Sequence, residues 1–436
     1  MSDGNPTRRG ALALAGGVLL AGCGDLRVPG SGPTTLNGTD VRAVVADREP
    51  AVPETFPVEI DDGAIGESRS RARNLLDELP TPLGPAEVPN GVIREDISFE
   101  VENAEAELSR ANDPASTREG LAAARSARVS AMRASATWRA IEGDVTRGDL
   151  ETASNELERA LADLHDHVSY VGEDPGRAVA VHAALEGFRR GATARLERPI
   201  ARPGDDDGVQ GVGRLAARLE GVRGLLEHAR VLYDAFVESL AEPRDLTSGL
   251  ETAAESSTAE LRAGAEQRSL AEDRDAASYV ERDVDDTPAT WALSELKRAS
   301  LGGVREDADV TLRPAGTVLA AGSGLAALAG FDAVRSSVED GTRFGVADAD
   351  DVRERRGAAV DAIERARTAP AEPALTAALV PEIASYVEYG DRLVDRGGTE
   401  IRADALSRPV GHYVTAMAKA GALESATERV ADALDR

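Results

Sequence analysis

The chain has 436 residues, of which 77 are acidic and 50 are Lys or Arg, so its formal net charge at pH 7 is −27. This balance argues against binding to nucleic acids and to anionic lipid headgroups, because both require basic patches. The acidic residues are spread along the whole chain, which favours a surface adapted to molar salt over one acidic face for a cationic partner. Aromatic residues make up only 3% of the chain, so alanine and leucine must form most of the core, which predicts an all-α fold.

Residues 1–22 have the organisation of an export signal. Arg8 and Arg9 precede an uncharged run, residues 10–22, which is shorter than the roughly 20 apolar residues of a membrane span. The arginine pair and the residues around it resemble a twin-arginine signal, which routes folded proteins across the cytoplasmic membrane. Ala11 stands where that family usually has a bulkier residue, so a general secretory signal is the alternative.

A cysteine follows the apolar run directly. Leu20, Ala21 and Gly22 precede Cys23, which is the only cysteine of the chain, and these four residues resemble a lipobox. The resemblance implies cleavage after Gly22, lipidation of Cys23 and attachment to the outer face of the cytoplasmic membrane. Together with the acidic composition, the leader resembles that of a lipoprotein from a halophilic archaeon.

Residues 23–62 are predicted to form a disordered tether. Proline and glycine recur through this segment, and a flexible chain of its length has a root-mean-square reach of about 35 Å. Residues 41–46 are the one place where the pattern indicates a short strand or an extended contact. Asn37-Gly38-Thr39 is the only Asn-x-Ser/Thr sequence of the chain in which x is not proline, so Asn37 is a candidate for N-glycosylation in an exposed, exported segment.

From residue 63 onward, apolar residues recur at steps of three and four, which is typical of amphipathic helices. We expect two helical domains, residues 63–286 and 287–436, each built as a mostly antiparallel multi-helix array with short connections. A long helix is predicted over residues 209–241, where apolar residues follow a heptad pattern from Val212 to Leu240.

Capping residues and prolines predict where helices begin. Asp174-Pro175 has aspartate at the cap and proline at the first helical position. The uncharged run 315–331 is too short for a typical membrane span and predicts a buried helix. Further helices are expected over residues 349–368, 381–396 and 409–435, with Pro381 and Pro409 starting the last two.

The sequence contains no phosphate loop, no paired zinc cysteines, no His-Glu-x-x-His and no Gly-x-Ser-x-Gly, so it indicates no catalytic residue and no cofactor. His165 and His167 are close in sequence, but residues two apart project from nearly opposite sides of a helix. His182 and Glu186 are four apart and share one face. These four residues are weak candidates for metal ligands, because hydrogen bonding at the edge of a core is the more common role.

Two functions follow from these patterns. The first is a non-catalytic scaffold or interaction module that is anchored to the membrane by lipid and contacts another envelope protein. The second is a solute- or metal-binding lipoprotein that serves a transporter, with the histidines and Glu186 as ligands. A concave pocket lined by those histidines would favour the second function, and a packed bundle with exposed apolar surface would favour the first.

Overall fold

The computed structural model of the chain describes residues 34–46, 56–80, 82–198, 208–303, 312–342, 344–368 and 370–435. The export signal with Arg8 and Arg9, the lipobox and Cys23 lie outside these residues. Within them the protein consists of helices and four strands of two or three residues each, so the predicted all-α fold is confirmed.

The described elements follow one another along the chain as helices with short connections. In order they are β1 (Thr35–Asn37), α1 (Gly38–Val45), α2 (Asp62–Asp77), α3 (Gly91–Asn112), α4 (Thr117–Glu142), α5 (Arg147–His167), β2 (Val171–Gly172), α6 (Pro175–Leu196), α7 (Val209–Glu238), β3 (Arg244–Asp245), α8 (Thr247–Gln267), α9 (Pro288–Gly302), α10 (Pro314–Glu339), α11 (Ala349–Thr368), α12 (Pro373–Asp395), β4 (Glu400–Arg402), α13 (Ser407–Gly421) and α14 (Leu423–Leu434).

Helices α2 to α7 form the first domain, and local chemistry sets where they begin. Asp174 accepts a hydrogen bond from the backbone N–H of Arg177 at 2.6 Å, and Pro175 takes the first helical position of α6. The predicted start of this helix is therefore confirmed. Thr146 and Asp149 form a reciprocal capping box at the start of α5, which satisfies two backbone donors at once.

Helix α7 is the central element of the first domain and packs against α4, α5 and α6. A Cβ atom at Gly213 would lie 2.0 Å from Oγ1 of Thr137 on α4, so the close crossing of these two helices requires glycine. The helix predicted over residues 209–241 is confirmed and ends slightly earlier, at Glu238. Its buried residues lie on most of its circumference, as expected for a helix enclosed by neighbours.

Helix α10 has the same central position in the second domain, where α8, α9, α13 and α14 pack around it. It is the one helix in the described part of the chain that is long and apolar enough to cross a membrane, and 72% of its apolar 18-residue window is buried inside the fold. The buried helix predicted over residues 315–331 is therefore confirmed.

The prediction of a disordered tether over residues 23–62 is wrong for residues 34–46 and for residues 56–62, where Phe56 and Ile60 are buried in the first domain's core. Strand β1 pairs antiparallel with β4, with Leu36 opposite Ile401. Helix α1 packs on α11 and α12, and Val41 and Val44 are buried in the second domain's core. The apolar residues of this segment thus find partners near the other end of the chain, which the local composition does not reveal.

The same segment changes the interpretation of Asn37. This residue ends β1 and caps α1, since its side chain accepts a hydrogen bond from the Thr39 N–H at 2.9 Å. The glycosylation candidate therefore lies on a folded element, although its side chain is exposed. Residues 41–45 are helical, so the short strand or extended contact predicted at 41–46 is also wrong.

The predicted domain boundary between residues 286 and 287 is about 40 residues too late. Helix α8 packs against α10 and α14, and Tyr279 and Val284 lie in the second domain's core. The second domain therefore consists of residues 34–46 together with the chain from about residue 247 onward. The first domain is inserted between these two parts.

Two predicted helix starts are also corrected. Pro381 lies inside α12, which begins a full two turns earlier at Pro373. The single helix predicted over residues 409–435 is two helices, α13 and α14, separated at Ala422. In both places the apolar periodicity continues through the boundary, so the sequence pattern alone did not locate it. The helix predicted over residues 349–368 has those bounds in the structure.

Candidate functional site

A small cavity of about 40 Å³ lies beside the junction of the two domains. It is lined by residues of α5, α6, α7 and the α5–α6 connection: Leu164, His165, Val168, Tyr170, His182, Leu185, Glu186, Arg189 and Ala229. Three of the four predicted ligand candidates, His165, His182 and Glu186, therefore share one cavity. His167 does not line it.

Glu186 connects the first domain to the start of α10 in the second. Its two carboxylate oxygens accept hydrogen bonds from the backbone N–H groups of Ala315 (3.1 Å) and Gly316 (2.6 Å), and one oxygen also accepts from the Tyr170 hydroxyl at 2.9 Å. The carboxylate thus satisfies free N–H groups at a helix N-terminus, where negative charge is favoured. Burial raises the pKa of Glu186, and these three hydrogen bonds oppose that rise.

Close approach of the two domains at this carboxylate depends on a glycine. A Cβ atom at Gly316 would lie 2.6 Å from Oε2 of Glu186. Any larger residue at position 316 would therefore displace the carboxylate from the N-terminus of α10.

His182 is fully buried, and its Nε2 atom faces the backbone of Val171, 3.2 Å from the N–H nitrogen and 2.9 Å from the carbonyl oxygen. Its ring also packs on Tyr170 and, edge to face, on Phe236. Burial lowers the pKa of His182, against the opposing effect of the Val171 backbone, so the ring is neutral at pH 7. Its Nδ1 atom has no hydrogen-bond partner among the described residues.

His165 lies at the exposed rim of the cavity, where Arg189 connects it to the second domain. Nη1 of Arg189 lies 2.8 Å from Nδ1 of His165, and Nη2 donates to the carbonyl oxygen of Leu312 at 2.7 Å. Arg189 therefore connects α6 of the first domain to the second domain, as Glu186 does, but it does so at the surface.

His167 points elsewhere, as expected for a residue two positions from His165 on a helix. Its Nε2 atom lies 3.5 Å from a carboxylate oxygen of Asp234, with both side chains more than half exposed. Its ring meets Tyr233 edge to face. The structure thus separates His167 from the other three candidates.

The polar atoms around the cavity are mostly engaged by the protein itself. A volume of 40 Å³ corresponds to about three water molecules at roughly 15 Å³ each, which is too small for a metabolite. Among the residues that the structure describes, no three His, Cys, Asp or Glu side chains are grouped so that they could hold a metal ion. The arrangement is best suited to holding the two domains in one orientation.

Sequence reasoning missed Tyr170 and Arg189. Arg189 follows Glu186 by three positions and His182 by seven, so helical spacing placed all three on one face of α6. Tyr170 lies in a connection between helices, where no periodic pattern identifies a partner.

The fold and this junction define a two-domain, all-α protein in which one helical domain is inserted into another. Residues 63–242 match a family model described as a domain of unknown function (DUF8262), and residues 247–432 match a second one, also described as a domain of unknown function (DUF8264). The two matches meet between residues 242 and 247, which agrees with the boundary set by the packing of α8. Searches of the curated proteins and of the solved structures found no match.

Proposed function

We propose that the protein is an extracytoplasmic lipoprotein, held on the outer face of the cytoplasmic membrane through Cys23, whose two helical domains form a non-catalytic interaction module. The observation that carries this proposal is the order of residues at the start of the chain: Arg8 and Arg9, a short uncharged run, and the lipobox residues before the only cysteine. The anionic surface fits an environment of high salt, in which charge repulsion is screened over a few ångströms.

The part of the chain that the structure describes begins close to the proposed anchor. Only ten residues, 24–33, separate Cys23 from Thr34, the first described residue. Eleven Cα–Cα steps span at most about 40 Å, so a lipid on Cys23 would keep the second domain near the membrane. The first domain would then be the part that extends toward other envelope proteins.

Helix α3 of the first domain offers apolar surface for such a partner. Val92 is 69% exposed and Phe99 is 58% exposed. They are seven positions apart, which places them on one face of the helix. Exposed large apolar side chains that repeat on one face are typical of protein–protein contacts.

The anchoring is tested with Cys23→Ser in the full chain. We expect the wild-type protein in the membrane fraction and the variant in the soluble fraction, because a serine cannot carry the thioether-linked lipid. Retention of the variant in membranes would refute the lipid anchor. Replacing Arg8 and Arg9 by lysine should leave uncleaved precursor in the cytosol if export uses the twin-arginine route, and Arg27→Lys is the matched control.

The interaction module is tested with Phe99→Glu on α3. The wild-type protein extracted in mild detergent should migrate as a complex larger than a single chain, whose mass before removal of the signal is 45.6 kDa, and the variant should migrate at the size of the single chain. Glu102→Gln, an exposed change on the same helix, should leave the complex intact. A wild-type protein that migrates as a single chain in native membrane extracts would argue against this role.

Binding of an ion or another very small solute is the second candidate, because His165, His182 and Glu186 line one cavity and Nδ1 of His182 has no hydrogen-bond partner among the residues that the structure describes. Its test is the elemental content of protein purified in molar salt. A stoichiometric ion that is lost in Glu186→Gln would establish this function over the first one. Protein without such an ion would exclude the ion-binding form.

A further inference from the structure

Three arginines of the first domain lie near one another without a carboxylate partner. Arg118 and Arg125 are seven positions apart on α4 and therefore lie on one face of that helix, and Arg195 lies in the last turn of α6. None of the three forms an ion pair in the part of the chain that the structure describes. We call these three residues the arginine cluster.

Helix α7 brings Arg125 and Arg195 together, because both α4 and α6 pack on it. A Cβ atom at Gly224 of α7 would lie 2.9 Å from Cγ of Arg125, and one at Gly221 would lie 3.7 Å from Nε of Arg195. Positions three apart on a helix have Cβ atoms about 5–6 Å apart, so the two arginine side chains cross neighbouring positions of α7. Glycine at position 224 leaves the room that the Arg125 side chain requires.

The charges of the arginine cluster repel one another. Burial lowers the pKa of Arg125, and the charges of Arg195 and Arg118 lower it further. Guanidinium groups stay protonated in proteins, so the cluster holds three positive charges. A bound anion would replace their repulsion by attraction.

The hydrogen-bond partners of Arg125 and Arg195 carry no negative charge. Nη1 of Arg125 lies 3.4 Å from Nδ1 of His228. Burial and the charges of Arg125 and Arg128 lower the pKa of His228 to about 3, so its imidazole is neutral at pH 7. Nη1 of Arg195 donates to the carbonyl oxygen of Gly191 at 2.8 Å. The remaining N–H groups of both guanidiniums are therefore available to an anion.

A ligand can reach the arginine cluster from solvent. The side chains of Arg118 and Arg195 are exposed, and that of Arg125 is half-buried. Arg118 also lies in the first turn of α4, where the helix dipole disfavours a positive charge and favours a negative one. An anion beside Arg118 would therefore offset an unfavourable placement.

The acidic composition of the chain makes this cluster exceptional. The chain has 77 acidic residues for 50 Lys and Arg, and buried arginines such as Arg128 and Arg356 pair with carboxylates. Three neighbouring arginines without such a partner, in a chain with so many carboxylates, indicate that a ligand supplies the negative charge.

We propose that the arginine cluster binds a doubly charged oxyanion, either inorganic phosphate or the phosphoryl group of a larger ligand. The planar guanidinium group donates paired hydrogen bonds that match the spacing of phosphate oxygens. A phosphoryl group has enough oxygens and charge to engage several guanidiniums, whereas a carboxylate has two oxygens and one charge. This site is independent of the lipid anchor and would give the first domain a phosphorylated ligand.

The experiment titrates the full chain in mild detergent with inorganic phosphate and follows the heat of binding. Molar potassium chloride is present throughout, because it screens diffuse attraction between charges within about 3 Å. We expect saturable binding of one phosphate per chain, with a Kd of about 1 mM. The absence of saturable binding, or binding of acetate as tight as that of phosphate, would overturn the proposal.

A second titration identifies the source of the phosphoryl group. Glycerol 3-phosphate that binds more tightly than inorganic phosphate would assign the site to a phosphate ester. Glycerol 3-phosphate that binds more weakly would assign it to the free ion.

Substitutions separate a specific site from a general effect of charge. Arg125→Gln and Arg195→Gln should each weaken phosphate binding about tenfold, because each removes a charged hydrogen-bond donor. Arg195 is exposed, so its variant is expected to fold even if Arg125→Gln does not. Arg159→Gln, an exposed change on α5, removes the same charge from the same domain and should leave the affinity unchanged. Unchanged affinity in Arg195→Gln, or equal weakening in Arg159→Gln, would overturn the assignment.

Discussion

The two domains bury ion pairs to different extents. At the centre of the first domain, Arg128 and Glu220 are 3% and 1% exposed and form a hydrogen-bonded ion pair, with Nε 2.9 Å from Oε1. Arg128 also contacts Glu227 and the hydroxyl of Ser68. The second domain also buries two cations, Arg356 and Lys419, but their partners Asp391 and Glu382 keep 18% and 46% of their side-chain surface exposed. Glycines lie where its helices α10, α12 and α13 meet their neighbours.

This difference determines which substitutions destabilise each domain most. Burial alone would raise the pKa of Glu220, but the charge of Arg128 and its hydrogen bond outweigh that effect and lower it. Such a pair is sensitive to the loss of one charge, since the other then stays buried with only its more exposed partners to compensate it. Helices that meet at glycine are sensitive to added volume instead. The two tryptophans let both domains be followed separately, because Trp138 belongs to the first and Trp291 to the second.

The largest effect is expected when one partner of the buried ion pair is removed. Arg128→Met should lower the free energy of unfolding of the first domain by about 3 kcal/mol, because Glu220 stays buried and keeps only the partly exposed Arg71 and Arg223 as partners. Denaturant titration followed by Trp138 emission in a Trp291→Phe background measures it. Arg110→Met, which removes an exposed partner of Glu107, is the matched control and should cost less than about 1 kcal/mol.

An intermediate effect is expected from one added methyl group in the second domain. A Cβ atom at Gly390 would lie 2.5 Å from the buried ring of Tyr413 and 3.0 Å from the carbonyl oxygen of Pro409. Gly390→Ala should therefore lower the stability of the second domain by about 1–3 kcal/mol, as measured by Trp291 emission in the Trp138→Phe background.

Gly357→Ala on α11 is the matched control for that substitution. A Cβ atom there would have no heavy atom within 4 Å, so alanine should stabilise the helix by about 0.5–1 kcal/mol relative to glycine. Equal destabilisation by both alanine variants would contradict the role given to close helix approach.

The smallest effect, counted as the change in the free energy of unfolding per pH unit, is a pH dependence in the first domain. Burial lowers the pKa of His228 to about 3, with the charges of Arg125 and Arg128 contributing. Because the unfolded chain binds a proton near pH 6.5 and the folded chain does not, stability is lost as pH falls below about 6.5, by up to about 1.4 kcal/mol per pH unit. His228→Gln should flatten this slope between pH 6.5 and 4 when unfolding is followed through Trp138. An unchanged slope would show that His228 is not responsible.

The sequence predicted the parts of the fold that local chemistry decides. Alanine and leucine at helical spacing predicted the all-α class, and Asp174-Pro175 predicted the first turn of α6. The helix spacing of His182 and Glu186 placed them on one face, and both do line the cavity.

Distant partners explain what the sequence did not predict. Glu186 meets the backbone N–H groups of Ala315 and Gly316, and backbone groups carry no sequence signal. Strand β1 has too few residues for a periodic pattern, and its partner β4 is near the other end of the chain. The pairing of Arg128 with Glu220 likewise depends on how α4 crosses α7, which local periodicity does not determine.

The pairing of β1 with β4 has a consequence for how the protein is made. Residues 34–46 leave the ribosome before the rest of the second domain, but Arg42 hydrogen-bonds a carbonyl 355 positions later, at Gly397. The core of the inserted first domain is formed by residues 56–240. This domain can therefore fold while the rest of the chain is still being translated. The second domain can close only when the last part of the chain has been synthesised, because contacts of such high sequence separation form late. Truncation anywhere before β4 therefore leaves the N-terminal segment without its partner strand.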